Sequence, residues 1–263
     1  MLEKNKIYNM DCIEFLQKIE DNSINLIITS PPYNLDIEYD SCNDNLPWDD
    51  YLKWCENWLK ECYRVLKDDG RICINHYIAV GRAGYEKKSE FPLMDFRNIQ
   101  KKIGFNVHKI AIWSDTTISK LTAWGSWLSA SSPYINTPYE GILISYKNQW
   151  KKQNKGISTI TKNEFIEGVS GVWKIQPDTK SLTKASFPVK LPERCINLLT
   201  YKNDLVLDPF IGSGTTAIAA KKTERNFIGC ELSSNYCEIA EKRLKEFKRE
   251  EKNKQKYKMF FGD

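Results

Sequence analysis

The sequence has little of what metal sites and membrane spans require. Its 263 residues include two histidines and eight cysteines, and no two cysteines stand in a C-x-x-C pair. Structural zinc sites need clustered ligands at short spacing, so we expect no metal site. No stretch reaches the roughly 18 uncharged apolar residues that span a bilayer, and the amino terminus carries charges in place of an apolar signal. We therefore expect a cytoplasmic protein without a membrane anchor.

Short β-branched runs alternate with amphipathic helical stretches along the chain. This alternation predicts βα units and a mainly parallel sheet in one α/β domain. We expect the run 141–146 to be the antiparallel strand, and the apolar stripe over 51–66 to form a helix that ends at a left-handed cap on Gly70. The runs that we expect to form strands are 7–10, 24–29, 71–75, 106–113, 141–146, 205–208 and 227–231.

Two stretches break this rhythm. Residues 148–183 are polar and basic, and an insertion of this kind in an α/β enzyme usually serves substrate recognition. Residues 115–138 are rich in Ser, Thr and Trp, and we expect a mobile loop there. The net charge of +5 is too small to predict nucleic-acid binding, but residues 141–163 contain no acid. Basic side chains around an aromatic ring suit phosphates and bases, although a solvated loop is the plainer alternative. The candidate DNA-binding residues are Lys147, Trp150, Lys151, Lys152 and Lys155.

A glycine-rich turn follows the run 205–208. Residues 208–216 read Asp-Pro-Phe-Ile-Gly-Ser-Gly-Thr-Thr, and a strand, glycine turn and helix bring backbone close to a ligand at the carboxyl end of a sheet. Gly212 and Gly214 lack the side chains that would block that approach. A phosphate-binding loop would have Lys where Thr215 stands, and the dinucleotide fingerprint is absent. The pattern favours a nucleoside without phosphates over a glycine turn that binds nothing.

An acidic residue ends the next predicted strand. Glu231 lies 17 positions after Gly214, and an acid at this place accepts hydrogen bonds from ribose hydroxyls in comparable folds. A solvated glutamate is the alternative interpretation. Together with the glycine turn, Glu231 predicts a nucleoside site.

The tetrad Ser30-Pro31-Pro32-Tyr33 follows directly after the run 24–29. Two prolines cannot continue a strand ladder, so the strand must stop there. The rigid end exposes a hydroxyl, a carbonyl and an aromatic ring at the edge of the sheet. A proline turn that only terminates the strand is the plainer alternative.

Together these motifs resemble the amino-methyltransferases of bacterial restriction–modification systems. The tetrad precedes the glycine motif by about 180 residues, which is similar to the β group of that family, in which the catalytic half comes first. The resemblance implies a Rossmann-like S-adenosylmethionine-dependent methyltransferase fold. Its expected sheet has seven strands, mostly parallel with one antiparallel, in a circularly permuted motif order, and residues 1–263 form a single catalytic domain.

The resemblance also implies a site for S-adenosyl-L-methionine. Residues 185–196 are similar to the family segment that holds the methionine end of this cofactor, and residues 9–12 resemble the motif whose acid approaches its adenine. Lys184 stands where many relatives have histidine. The residues assigned to the cofactor in this way are Asp11, Phe187, Pro188, Asp208, Pro209, Phe210, Gly212, Ser213, Gly214, Thr215, Thr216 and Glu231.

For catalysis, the resemblance points to the whole tetrad, from Ser30 to Tyr33. An exocyclic amine is a poor nucleophile because its lone pair is delocalised into the ring. Hydrogen bonds from its protons to the Ser30 hydroxyl and the Pro31 carbonyl would free that lone pair for in-line transfer. Tyr33 is expected to stack on a base flipped out of the duplex. The sequence has no Pro-Cys dipeptide, which argues against cytosine C5 methylation, because that reaction needs a nucleophilic cysteine.

The implied partner is double-stranded DNA in the nucleoid of a bacterial or archaeal cytoplasm. Serine in the first tetrad position favours cytosine N4, and adenine N6 stays the alternative. A cognate restriction endonuclease and a homodimer are both open. Methyltransferases of RNA or of protein glutamine more often carry Asn first and place the glycine motif before the tetrad. A non-catalytic nucleic-acid-binding module would not retain the tetrad, the glycines and the acid together.

Overall fold

The computed structural model describes residues 2–35, 44–80, 89–114, 125–135, 137, 139–177 and 187–261. Half of the expected loop 115–138 lies outside these residues, as does the end of the insertion 148–183. Within the described ranges, no helix has the length and apolar character that a membrane crossing requires. The elements in chain order are β1 (Lys6–Asn9), α1 (Cys12–Gln17), β2 (Ile24–Thr29), α2 (Trp48–Val65), β3 (Leu66–Tyr77), α3 (Pro92–Ile103), β4 (Asn106–Ser114), β5 (Glu140–Tyr146), α4 (Lys162–Val169), β6 (Val172–Lys174), α5 (Lys190–Leu199), β7 (Leu205–Asp208), α6 (Thr215–Lys222), β8 (Asn226–Glu231) and α7 (Ser234–Phe261).

The strands form one mixed sheet in the order β1-β8-β7-β2-β3-β5-β4-β6. Every pairing is parallel except the two made by β5, which runs antiparallel to both β3 and β4. The expected α/β architecture with one antiparallel strand is confirmed. The described sheet has eight strands and not seven, because the three-residue β6 pairs with the end of β4. A strand this short leaves no alternation for a sequence pattern to detect.

Helices cover both faces of the sheet, and a separate apolar cluster lies under each group. Helices α1, α2 and α3 enclose one cluster, and α5, α6 and α7 enclose the other. Strand β2 lies between β7 and β3, and all six of its residues are buried. A parallel strand covered on both faces is expected to be almost continuously apolar, which explains the run in the sequence.

The expected left-handed cap on Gly70 is wrong. Helix α2 ends at Val65, the next residue starts β3, and Gly70 is not among the glycines with positive φ. The last carbonyls of the helix find other donors, since the Arg64 and Val65 oxygens accept the backbone N–H groups of Asn22 at 3.2 Å and Ser23 at 2.9 Å. A helix end satisfied from outside needs no glycine cap.

The ends of the parallel strands define two edges of the sheet. The carboxyl edge is where the parallel strands end, for example at Thr29, Asp208 and Glu231. The amino edge is where they begin. Because β5 is antiparallel, it starts at the carboxyl edge with Glu140 opposite Tyr77 and finishes at the amino edge.

Candidate active site

The tetrad and the glycine motif meet at the carboxyl edge, although they are far apart in the sequence. Thr29, the residue before the tetrad, donates a hydrogen bond of 2.8 Å from its Oγ1 to Asp208 Oδ1, across 179 positions. Strands β2 and β7 are neighbours, so their ends, and the loops that follow, lie side by side. This contact makes one site out of two motifs.

Asp208 holds the junction together. Its carboxylate also accepts hydrogen bonds from Thr216 Oγ1 at 2.6 Å and from the Phe210 backbone N–H at 3.0 Å. The residue is 2% exposed, and burial raises its pKa to about 6 despite these three donors. The expected cofactor contact of Asp208 is therefore replaced by a structural role, because the carboxylate is buried and its hydrogen-bond donors all come from the protein.

The two glycines of the turn serve different purposes. Both have left-handed backbones, with φ of 51° at Gly212 and 83° at Gly214. A Cβ on Gly212 would meet nothing within 4 Å, whereas a Cβ on Gly214 would lie 2.9 Å from the Cβ of Ala240 in α7. Gly212 thus borders open space that a ligand can occupy. Gly214 is required by helix packing, which corrects the expectation that it makes room for a ligand.

Glu231 completes the open side of the turn. Its Oε2 accepts the Gly212 N–H at 3.0 Å and its Oε1 accepts the Ser233 N–H at 2.9 Å. The side chain is partly buried, and burial raises its pKa. A carboxylate has about four acceptor positions, and the backbone N–H groups of Gly212, Ser233 and Leu232 use three of them. One position remains for a hydroxyl group of a ligand. The sugar-binding role expected for Glu231 suits this geometry.

Asp11 lies at the end of the neighbouring strand. Its Oδ1 accepts the N–H groups of Ile13 at 2.8 Å and Glu14 at 3.3 Å, so it caps helix α1. The Met10 N–H donates to the Glu231 carbonyl at 3.2 Å and joins the two strand ends. Asp11 is therefore held next to Glu231, where the adenine end of a nucleoside is expected.

Most other side chains of the glycine motif are turned inward. Arg243 of α7 donates to the Ser213 carbonyl at 2.7 Å, to Ser213 Oγ at 2.8 Å and to Thr215 Oγ1 at 3.2 Å. Arg243 was not anticipated, since in the sequence it is one cation among many in a mixed lysine and glutamate helix. The expected cofactor contacts of Ser213, Thr215 and Thr216 are corrected to turn-building contacts, because all three are buried against protein partners.

The aromatic and proline residues assigned to the cofactor are also packed inside. The Phe210 ring lies 5.3 Å from the ring of Trp58, between centroids. Phe187 is 8% exposed and belongs to the core beneath α5. Pro188 and Pro209 are likewise buried. Phe187, Pro188 and Pro209 can offer a ligand their backbone rather than their buried side chains, whereas Phe210 is only partly buried.

Tyr33 is the centre of a polar network in the tetrad. Its hydroxyl lies 2.8 Å from Ser30 Oγ, 2.8 Å from Glu140 Oε2 and 3.1 Å from Asn75 Nδ2. Burial, and then the negative charge of Glu140, raise its pKa well above the ordinary value. Sequence reasoning missed Asn75 and Glu140, which come from β3 and β5 and have no motif around them.

The Tyr33 ring does not face outward. It is 3% exposed, with its centroid 4.2 Å from the ring of His76 and 5.1 Å from the ring of Tyr77. The expectation that Tyr33 stacks on a target base is therefore wrong for this structure, because protein rings already cover it.

Neighbouring residues hold the remaining backbone of the tetrad in place, and Pro31 is buried there. Tyr51 of α2 donates to the Pro32 carbonyl at 2.8 Å, and the backbone N–H of Asn34 donates to Asp44 at 2.8 Å. Ser30 is partly exposed. In the part of the chain that the structure describes, no group donates to the Pro31 carbonyl oxygen. The Ser30 hydroxyl and the Pro31 carbonyl are thus the two acceptors that the tetrad presents.

Lys147, expected to bind DNA, is a buried structural residue. It is 8% exposed, and its Nζ donates to Asn22 Oδ1 at 2.8 Å, to the Leu66 carbonyl at 2.9 Å and to the Arg64 carbonyl at 3.2 Å. Three bonds use all three protons of the ammonium group. This corrects the expectation, since no proton remains for a phosphate.

The other basic candidates follow Lys147 on the amino edge. Trp150 stacks on His108 at 3.9 Å, with the Arg71 guanidinium 4.8 Å from its ring. Lys152 lies 3.6 Å from Asp69. Lys151 and Lys155 are exposed, but the seven residues of β5 separate this segment from the tetrad by roughly 20 Å. The direction of β5 therefore removes the whole segment from the candidate active site.

Comparisons with known sequences show the family of this chain. A protein-family model described as DNA methylase, of the N6 and N4 methyltransferases, matches residues 24–242. The chain is 41% identical over 179 residues to the type II methyltransferase M.MjaVI of Methanocaldococcus jannaschii, covering 67% of this chain and 90% of the relative. It is 31% identical over 264 residues to the type II methyltransferase M.HinfI of Haemophilus influenzae, covering 93% and 69%.

Solved structures show the same fold. A proposed DNA modification methylase of Thermus thermophilus, solved with S-adenosyl-L-methionine, superposes with a TM-score of 0.74 at 28% identity, covering 92% of this chain and 93% of the other. The cytosine-N4-specific PvuII DNA methyltransferase gives a TM-score of 0.70 at 22% identity, covering 91% and 86%. With the family model matching from β2 to α7, the chain belongs to the N6 and N4 family of DNA methylases.

Proposed function

We propose that the protein transfers a methyl group from S-adenosylmethionine to the exocyclic amino group of a base in double-stranded DNA, with cytosine N4 as the preferred acceptor. The hydrogen bond between Thr29 and Asp208 carries this proposal, because it fixes the tetrad beside the glycine turn. A methyl group moves only between atoms that are almost in contact, so the two loops have to be neighbours.

The open side of the glycine turn suits the nucleoside of the donor. A Cβ on Gly212 would project into open space, and the Glu231 carboxylate retains an acceptor position for a ribose hydroxyl beside its three backbone N–H donors. Asp11 is held beside them by α1. Thr215, where a phosphate-binding loop has lysine, fits a ligand without phosphates. When bound, S-adenosylmethionine supplies an electrophilic methyl group on a positively charged sulfur.

The tetrad prepares the attacking nitrogen. The Ser30 hydroxyl and the Pro31 carbonyl accept the two protons of the amino group, and the lone pair leaves conjugation with the ring and points at the methyl group. Neither acceptor forms a covalent bond, so orientation and preorganised dipoles lower the barrier. Removing one comparable donor or acceptor from an active site costs roughly 10²–10³ in rate.

The choice of base rests on Ser30. Serine at this position favours cytosine N4, whereas aspartate favours adenine N6, so adenine N6 is the second candidate. In either case the base leaves the duplex to reach the acceptors. Of the expected target-recognition insertion 148–183, we keep the part after residue 155, which includes α4 and β6. The amino-edge residues 147–155 are excluded from contact with the flipped base.

The test is methyl transfer from labelled donor to duplex DNA, RNA and protein, followed by nuclease digestion and mass spectrometry of the nucleosides. We expect N4-methylcytosine in duplex DNA. N6-methyladenine would move the preference to the second candidate, and label only in RNA or protein would refute the proposal. Sequencing of DNA from expressing cells gives the site, and cells with and without a paired endonuclease show whether methylation protects them.

Ser30→Ala tests the acceptor role directly. Loss of one acceptor should lower single-turnover methyl transfer about 10-fold or more, while the donor dissociation constant from calorimetry stays within about twofold. Unchanged turnover would remove Ser30 from the mechanism.

A further inference from the structure

A partly buried carboxylate lies behind the tetrad. Glu140, the first residue of β5, is placed opposite Tyr77 by the antiparallel register. Its Oε2 lies 2.8 Å from the Tyr33 hydroxyl and 2.5 Å from Asn75 Nδ2. The Tyr33 hydroxyl in turn lies 2.8 Å from Ser30 Oγ. A continuous hydrogen-bonded path therefore runs from the tetrad serine to a carboxylate on another strand.

The chemistry of the four groups fixes the direction of every hydrogen bond in the path. A carboxylate only accepts hydrogen bonds, so Tyr33 donates its single hydroxyl proton to Glu140. The Asn75 amide must turn its NH₂ towards Glu140, since its oxygen at 2.5 Å would repel the carboxylate. Tyr33 therefore accepts from Asn75 and from Ser30. The Ser30 hydroxyl is left as a donor to Tyr33 with its lone pairs turned away from the path.

We propose that Ser30, Tyr33 and Glu140 form a proton relay that takes up the proton lost by the target amine, with Asn75 as the positioning residue that aligns it. The inference rests on the proposed function. It adds that Ser30 takes up a proton as well as accepting a hydrogen bond. Glu140, which belongs to no sequence motif, sets how readily Ser30 takes up that proton.

The relay balances the reaction. As the nitrogen–carbon bond forms, the carbon–sulfur bond breaks and the sulfur becomes a neutral thioether. The nitrogen–hydrogen bond then breaks, and its proton moves to Ser30 Oγ. The Ser30 proton moves to Tyr33, and the Tyr33 proton moves to Glu140. Both hydroxyls end neutral, and the positive charge that the sulfur loses is cancelled at the Glu140 carboxylate. Glu140 is only partly buried, so it returns the proton to solvent.

Burial makes this path effective. Tyr33 is 3% exposed and Asn75 is 1% exposed, so water does not compete for the hydrogen bonds between these two residues. The other titratable groups around Tyr33 are His76 and Tyr77 of β3, Tyr51 of α2, and Asp44 in the segment before α2. Burial lowers the pKa of His76 to about 3, so its ring stays neutral.

The experiment compares single-turnover methyl transfer by Tyr33→Phe and Glu140→Gln with transfer by the unaltered protein. We expect both rates to fall by about 10- to 100-fold, while the donor dissociation constant from calorimetry changes less than about twofold. The unaltered protein should lose rate on the acidic side as Glu140 takes up a proton, and Glu140→Gln should lose that limb of the pH profile. Formate should restore part of the rate to Glu140→Ala but none to a variant that also carries Tyr33→Phe.

Tyr51→Phe is the matched control. It also removes one buried tyrosine hydroxyl that anchors the tetrad, through the Pro32 carbonyl, but it leaves the relay intact. We expect a similar loss of thermal stability with the wild-type pH profile and no response to formate. A Tyr33 hydroxyl proton in the NMR spectrum of the free protein, shifted in Glu140→Gln, would support the path without any turnover.

Three results would overturn the relay. One is a wild-type transfer rate in Glu140→Gln. Another is a pH profile and formate response in the relay variants that match those of Tyr51→Phe, since Glu140 would then only brace the loop. Absence of transfer to any DNA by the unaltered protein would instead refute the proposed function, and the relay with it.

Discussion

At the carboxyl edge and the amino edge of the sheet, side chains of opposite charge bind the unpaired backbone groups near the helix ends. At the carboxyl edge, carboxylates accept backbone N–H groups: Asp208 from Phe210, and Glu231 from Gly212 and Ser233. At the amino edge, cations donate to backbone carbonyls. These amino-edge bonds run from Lys147 to Arg64 and Leu66, from Arg71 to Leu199, from Arg225 to Thr200, and from Arg64 to Leu16 and Ile19.

Helix direction explains this difference. Each helix that follows a parallel strand begins at the carboxyl edge, where its first N–H groups lack partners, and ends at the amino edge, where its last carbonyls lack partners. The helix dipole adds positive potential at the first edge and negative potential at the second. Anionic side chains and ligands are therefore stabilised at one edge and cations at the other. A basic residue in the sequence of such a fold can therefore bind the carbonyls at a helix end and need not bind DNA.

The largest expected effect is at Gly212. Gly212→Val fills the open space of the turn and strains a left-handed backbone, so we expect donor binding to be lost in calorimetry. Gly171→Val is the matched control, because Gly171 also has a left-handed φ of 76° and open space around its Cβ position, at the opposite end of the strand order. It should lose similar stability and keep donor binding. Donor binding by Gly212→Val would show that this part of the carboxyl edge does not hold the ligand.

Asp208→Asn tests the buried anion. Burial raises the pKa of Asp208 from 3.8 to about 6, so the folded state holds the proton more tightly than the unfolded state. The contribution of protonated Asp208 to the free energy of unfolding is therefore fully present below pH 3.8. It is lost as the pH rises through about 6. About two pKa units correspond to about 3 kcal/mol. The free energy of unfolding of the wild type relative to Asp208→Asn should fall by that amount between pH of about 4 and 7 in urea titrations, and a constant difference would contradict it.

Lys147→Met tests the buried cation. It removes three hydrogen bonds, one of them to the buried Leu66, and we expect a loss of about 2 kcal/mol in the free energy of unfolding. Affinity for duplex DNA should stay within about twofold. Lys151→Met, at an exposed neighbour, should change stability by less than about 0.5 kcal/mol. If Lys147→Met weakened DNA binding while fully folded, the amino edge would have to be part of the DNA interface after all.

The sequence predicted the parts of the site that depend on local chemistry. Two prolines after an apolar run end a strand wherever they occur, and glycines after another strand allow a left-handed turn. The tetrad, Gly212 and Glu231 could therefore be placed at strand ends from residue types alone. The run 141–146 was also correctly expected to be the antiparallel strand.

The direction of β5 also determines where the basic residues 147–155 lie. If β5 runs antiparallel, the residues after Tyr146 must lie at the edge opposite the tetrad. Glu140 immediately precedes the run 141–146, so the same direction of β5 places it at the edge that carries the tetrad. Sequence reasoning missed this residue. Its contact with Tyr33 spans 107 positions, and no local pattern records such a pairing. Sequence reasoning also missed Arg243, because a single cation in a charged helix gives no indication of its hydrogen-bond partners.

The bond between Thr29 and Asp208 also bears on how such proteins can evolve. It joins two strands that are neighbours in space. The bond does not depend on which of the two strands comes first in the sequence. A gene whose two halves were exchanged, or separated into two cooperating polypeptides, would rebuild the same contact once the strands paired. Rearrangement by duplication and fusion can therefore reshuffle the chain around this bond while leaving its chemistry alone.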